Sequence, residues 1–128
     1  MNKKVVNLLK EQIWYLGTYN NEPNAVPVAF KDVTDDGKLL VGDVFLDETL
    51  KNIESNGKVA VSACNASTME GYQIKGTAEY IKEGAIVDTF KKLVSDMFNG
   101  AVTAKGALVI TPEKVIVTTP GNDNKKVL

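Results

Sequence analysis

The sequence predicts an α+β fold, a small antiparallel β-barrel with short flanking helices. Three observations carry that reading. About six or seven β-rich runs recur along the chain, most of them separated by short turn clusters. Only three stretches have helical spacing: at the start, after the third strand and before the last strand pair. A parallel sheet would need a crossover helix between most strands, and those are missing. At 128 residues the chain makes one domain, residues 1–128, with no internal repeat, linker or low-complexity tract.

The elements follow in order. Residues 3–12 place Val5, Val6, Leu8 and Leu9 near one face of a short amphipathic helix. Residues 13–20, IWYLGTYN, read as the first strand because they are β-branched and aromatic. A turn at 20–24 leads into a second strand over 25–33, in which Pro27 demands an edge, a bulge or a barrel rim. Asp35-Asp36-Gly37 turns the chain into a strand over 38–45. A short helix over about 47–55 ends at Asn56-Gly57, and a strand over 57–65 follows.

The run 72–81 alternates as a strand, and Gly76 within it marks a bulge or a close backbone approach. Residues 84–98 put Ile86, Phe90, Leu93, Val94 and Met97 on one helical stripe, which suits core or dimer packing. Two short strands around Pro112-Glu113 close the fold, and the polar tail 120–128 is expected to be mobile.

Composition removes most conventional chemistry. All 15 basic residues are lysines, and there is no arginine and no histidine. A histidine-based nucleophile pair or a histidine-ligated metal is therefore out. Cys64 stands alone, which excludes an internal disulfide, and its place in VAVSACNA reads as a buried strand thiol. A net charge of −1 with dispersed lysines argues against a nucleic-acid partner. No run approaches the roughly 20 apolar residues that span a bilayer, so no membrane association and a cytoplasmic location are expected. Any chemistry here falls to a bound cofactor.

One stretch suits such a cofactor. In DVFLDETLKNI a strand turns into a helix, so free N–H groups and the positive end of the helix dipole meet the Thr49 hydroxyl and the Lys51 ammonium. That combination suits a phosphate. The bland reading is a capped helix start with a surface lysine. Asp47 is a plausible N-cap, and Asp47 and Glu48 compete with an anion for the same N–H groups.

Four places in the order of features resemble the pyridoxamine 5′-phosphate oxidase-like, FMN-binding split-barrel family, over roughly residues 5–119. They are the helix and first strand LLKEQIWYLGTYN, the apolar second strand AVPVAF, the strand-turn-helix DVFLDETLKNI, and the closing pair GYQIKGTAEYI and ALVITPEKVIV. The resemblance is closest to short single-domain flavin proteins and implies an antiparallel, Greek-key split barrel. It implies that Val28, Ala29 and Phe30 face the flavin ring and ribityl chain, and that Asp43 and Val44 contact the ring. It also implies that Thr49 and Lys51 hold the phosphate with Asn52 close by.

The implied function is a homodimeric FMN flavoprotein in electron transfer or reduction, with an unknown redox partner and no catalytic acid or base. Relatives that oxidise pyridoxamine phosphate bind that substrate with arginine and histidine, and this chain has neither, so that activity is not expected. Leu50 also stands where an arginine often accompanies the lysine. A cofactor-free or deazaflavin-binding split-barrel dimer serving as a binding module is the alternative. Trp14, Tyr15, Phe45 and Tyr72 read either as core or interface aromatics or as walls of a flavin shared between subunits.

Overall fold

The chain folds as a seven-stranded, wholly antiparallel sheet curled into a split barrel, flanked by three helices; the computed structural model describes residues 1–128. The helices are α1 (Lys3–Glu11), α2 (Glu48–Asn56) and α3 (Ala85–Phe98). The strands are β1 (Trp14–Asn20), β2 (Glu22–Val28), β3 (Lys31–Val33), β4 (Leu39–Asp43), β5 (Lys58–Cys64), β6 (Gly71–Ile81) and β7 (Gly106–Val117). They lie in the order β2-β1-β5-β6-β7-β4-β3. No helix is long and apolar enough to cross a membrane.

The sheet's curl follows from one short connection. Strands β2 and β3 stand at opposite ends of the strand order, yet only Ala29 and Phe30 join them. Two residues reach less than about 11 Å, so the two ends of the sheet must lie side by side. The Gly42 N–H donates to the Phe30 carbonyl at 2.9 Å, tying the link to β4. This corrects the expectation of a single strand over 25–33. Asn21 takes φ 69°, which tightens the turn so that β2 starts at Glu22, and the crossing at 29–30 ends it early. Strand β2 pairs only with β1, so its other edge needs no ladder donor, and both Pro23 and Pro27 sit on it without loss.

Alternation places Trp14 and Leu16 of β1, Val59 and Val61 of β5, Ile74 of β6 and Leu108 and Ile110 of β7 in the barrel interior. Helix α1 closes one end with Val5, Leu8 and Leu9. Asn2 caps its start, accepting from Lys4 N–H at 2.8 Å. At its other end the Leu9 carbonyl accepts from the Trp14 indole N–H at 2.7 Å and from Lys31 Nζ at 2.9 Å. Burial lowers the Lys31 pKa, partly offset by the neighbouring Asp32 carboxylate.

A second, smaller core lies outside the barrel, where Val87, Phe90 and Val94 of α3 pack on Leu40, Val44 and Ala107. Strand β4 is covered on both faces, which explains its unbroken apolar run. Of the predicted α3 stripe, Phe90 and Val94 enter this core, Ile86 packs at its edge, and Leu93 and Met97 remain 46% and 64% exposed. Cys64 is also a correction. With Val59, Val61 and Ala63 pointing inward, the period of two leaves Cys64 on the exposed side.

The last two predicted strands are one, β7, and it carries the bulge itself, with Glu113 as the extra, unpaired residue. The β6–β7 register shifts between Lys75 and Gly76, opposite Pro112. A Cβ on Gly76 would press into the Thr111 carbonyl. Gly76→Ala is therefore expected to cost about 1–3 kcal/mol in urea unfolding, as overpacking against backbone does. A loss below about 0.5 kcal/mol would show that the bulge relaxes freely. Residues after β7 turn back along it, with Leu128 N–H donating to the Val115 carbonyl at 2.8 Å and Lys125 N–H to the Val117 carbonyl at 2.7 Å.

Candidate functional site

The free edge of β2, the Ala29–Phe30 link, the end of β4 and the start of α2 meet at the split. Helix α2 is pinned there by a buried polar network. Thr49 and Asn52 are buried beneath the helix, and Asn24 of β2 donates to the Thr49 hydroxyl at 3.0 Å. Thr18 of β1 accepts from Asn52 at 3.0 Å and more weakly from Asn24 at 3.4 Å. No buried side-chain polar atom in the protein is left without a partner. On the apolar side Ile53 enters the barrel core, and Gly57 at φ 72° ends the helix in a left-handed turn.

The turn before α2 hangs on Asp43. Its buried carboxylate accepts from the Tyr80 hydroxyl at 2.6 Å through Oδ2 and from Leu46 N–H at 3.1 Å through Oδ1. Burial first, and the Asp43 carboxylate second, push the Tyr80 phenol far above the usual tyrosine range, so it stays a protonated donor. Val44 turns away into the α3 cluster, while Phe45 is 78% exposed. Asp47 occupies the N-cap position, but its carboxylate makes no cap hydrogen bond. The N–H groups of Glu48 and Thr49 have no partner within the chain.

The expected site residues thus divide. Val28, Ala29 and Phe30 lie beside the end of β4, joined to it by the Gly42–Phe30 bond. Val28 is buried, Ala29 is exposed, and Phe30 stacks edge-on against Phe98 at 6.0 Å. Asp43 spends both carboxylate oxygens inside the protein. Thr49 and Lys51, two positions apart on a helix, leave it about 200° apart. Thr49 faces the sheet. Lys51 faces solvent, its Nζ 3.6 Å from Asp47 and 3.5 Å from Glu48, and those carboxylates raise its pKa.

Asn24, Thr18 and Tyr80 were not anticipated. The β1 alternation that buries Trp14 and Leu16 also buries Thr18, and an inward threonine needs a partner. A cavity of about 760 Å³ borders this network at Thr18 and Asn24 and extends over the outer sheet face, floored by Gly17, Ala25, Ala60 and Gly76 with Lys58 and Lys75 beside it. Tyr15 and Tyr19 stand exposed on the same face.

The family model described as pyridoxamine 5'-phosphate oxidase matches residues 1–121. The chain belongs to that family. A relative from Methanocaldococcus jannaschii, the uncharacterised protein MJ0282, is 33% identical and the match covers 100% of this chain and 87% of the relative. The crystal structure of Group A Streptococcus HupZ superposes with a TM-score of 0.81 at 25% identity, over 96% of this chain and 98% of that one. An FMN-binding protein from Syntrophomonas wolfei gives a TM-score of 0.78 at 17% identity, covering 94% and 85%. The pyridoxamine 5'-phosphate oxidase fold is therefore shared across every strand and helix of this protein. The family match stops four residues after β7, within the segment that turns back along it.

Proposed function

We propose that this protein is an FMN-binding split barrel that works as a homodimer in reduction or electron transfer. The observation that carries the reading is the open start of α2, where the Glu48 and Thr49 N–H groups are unpartnered and Lys51 lies in the same turn. Two free amides and an ammonium are the donor set a terminal phosphate requires, so the residues fit the group. The FMN-binding relative from Syntrophomonas wolfei, with the same fold, supports the choice of flavin.

Val28, Ala29 and Phe30 would line the ring and ribityl chain, mainly through backbone for Val28. The region around Asp43 and Val44 would border the ring. In this reading the Asp43 carboxylate acts through the turn it holds, and Thr49 contributes its N–H while its hydroxyl and Asn52 dock the helix. A bound flavin supplies hydride and one-electron chemistry by itself, which suits a chain without histidine or arginine. The absence of both side chains also argues against pyridoxamine phosphate as substrate. The exposed tyrosines and small-residue floor of the outer sheet face offer the surface for a second copy.

The purified protein should be yellow or take up added FMN. Lys51→Ala should weaken FMN by about tenfold and leave riboflavin, which lacks the phosphate, within about twofold. Fluorescence quenching of each flavin measures both. Equal losses for the two flavins would move Lys51 from the phosphate to the fold. A protein that binds neither flavin would overturn the proposal. Thr49→Val is expected to act chiefly on stability, because it removes the acceptor that satisfies Asn24.

A further inference from the structure

The first turn of α2 carries more negative charge than a phosphate-binding turn needs. Asp47 and Glu48 flank Lys51, and both carboxylates lie within 3.6 Å of its ammonium. Acidic side chains at a helix start ordinarily serve the helix itself, by capping its free N–H groups. Here Asp47 makes no such bond, and the Glu48 and Thr49 N–H groups stay open. The carboxylates are engaged with the lysine instead, and all three side chains are more than half exposed. An incoming phosphate must then take Lys51 from two carboxylates and sit near both of them.

We infer that Asp47 and Glu48 form an acidic clamp that lowers affinity for the phosphate of FMN, making FMN a dissociable ligand of this chain rather than a permanently held group. The inference rests on the proposed FMN site. It assigns affinity tuning to two residues that need make no favourable contact with the flavin. The clamp acts only on the charged end. Riboflavin has no phosphate, so it neither competes for Lys51 nor meets the carboxylates' repulsion. Both terms are Coulombic and exposed, so added salt weakens them together.

The test compares wild type, Glu48→Gln, and the Asp47→Asn/Glu48→Gln double variant, which keep side-chain size and remove charge. Binding of FMN and riboflavin is read by flavin fluorescence quenching, and FMN retention by desalting. The double variant should bind FMN about tenfold tighter, with Glu48→Gln intermediate and riboflavin within twofold in all three. It should keep FMN through a desalting column that strips the wild type. Raising salt to about 0.5 M should narrow the gap between wild type and variant. If wild type binds FMN and the variants bind it no tighter, the clamp is wrong and the FMN site stands. A gain equal for FMN and riboflavin also overturns the clamp. If no form binds either flavin, the FMN site itself falls and takes the clamp with it. Should the double variant fail to fold, Glu48→Gln alone decides by the same comparison.

Discussion

Trp14→Ala should lower the free energy of unfolding by about 3–5 kcal/mol, the range for truncating a fully buried aromatic. The indole has no exposed surface and donates to the Leu9 carbonyl at 2.7 Å. Lys31 Nζ sits 5.5 Å from the ring centroid and bonds to the same carbonyl, so three elements converge on one residue. Truncation opens a cavity between α1 and the sheet and strips the carbonyl of one donor. Lys31 keeps that carbonyl satisfied, which confines most of the loss to packing. Trp14→Phe should fall between, restoring much of the volume but not the hydrogen bond. Urea unfolding reads both, and a Trp14→Ala loss under about 1 kcal/mol would mean that the α1 end of the core is not tightly packed. Flavin affinity should be unchanged in Trp14→Phe, since the ring is wholly inside. Of the neighbouring pair, only Tyr15, on the outer face, is placed to touch a partner or a shared ligand.

Much of this fold was legible because its causes are local. The turn at Asp36-Gly37, the helix stop at Asn56-Gly57 and the close backbone approach at Gly76 each depend on a glycine whose role is written in its neighbours. The features that escaped have distant causes. The break at Ala29–Phe30 exists because β2 and β3 must reach opposite ends of one curled sheet, and nothing in AVPVAFKDV reports that. Cys64 depends on the phase of an alternation whose period was clear. The α3 face depends on how wide a surface the β4–β7 region offers. At the site, a strand-turn-helix was readable in DVFLDETLKNI, and helix geometry alone separates Thr49 from Lys51. The partner that claims the Thr49 hydroxyl, Asn24, lies 25 residues earlier and had the composition of a turn.

Asp43→Ala should cost about 3 kcal/mol or more, and it should reach the proposed site without touching a flavin. The substitution removes the carboxylate that the part-buried Tyr80 hydroxyl and Leu46 N–H donate to, each such bond being worth about 1.5–3 kcal/mol. Tyr80 cannot relax toward β7, because Gly106 lies so close that even a Cβ there would come within 2.6 Å of the Ile81 carbonyl and collide with the phenol. Tyr80→Phe removes one hydrogen bond to a charged acceptor and should cost about 1.5–3 kcal/mol. The pH dependence has a definite sign. The native phenol titrates above its unfolded value, so its contribution is whole below about pH 10, and stability then falls as the unfolded chain releases a proton that the native chain keeps. Tyr80→Phe should flatten that alkaline limb, leaving the smaller share of Tyr72, whose phenol is pushed up to about 12 by burial and Glu70. Because Asp43 ties down the turn that delivers α2, Asp43→Ala should also speed amide exchange at residues 44–49 and weaken FMN and riboflavin alike. A variant that lost FMN selectively would place the Asp43 carboxylate in the phosphate's own environment, and one that stayed as stable as wild type would show that the turn is held by α2 docking alone.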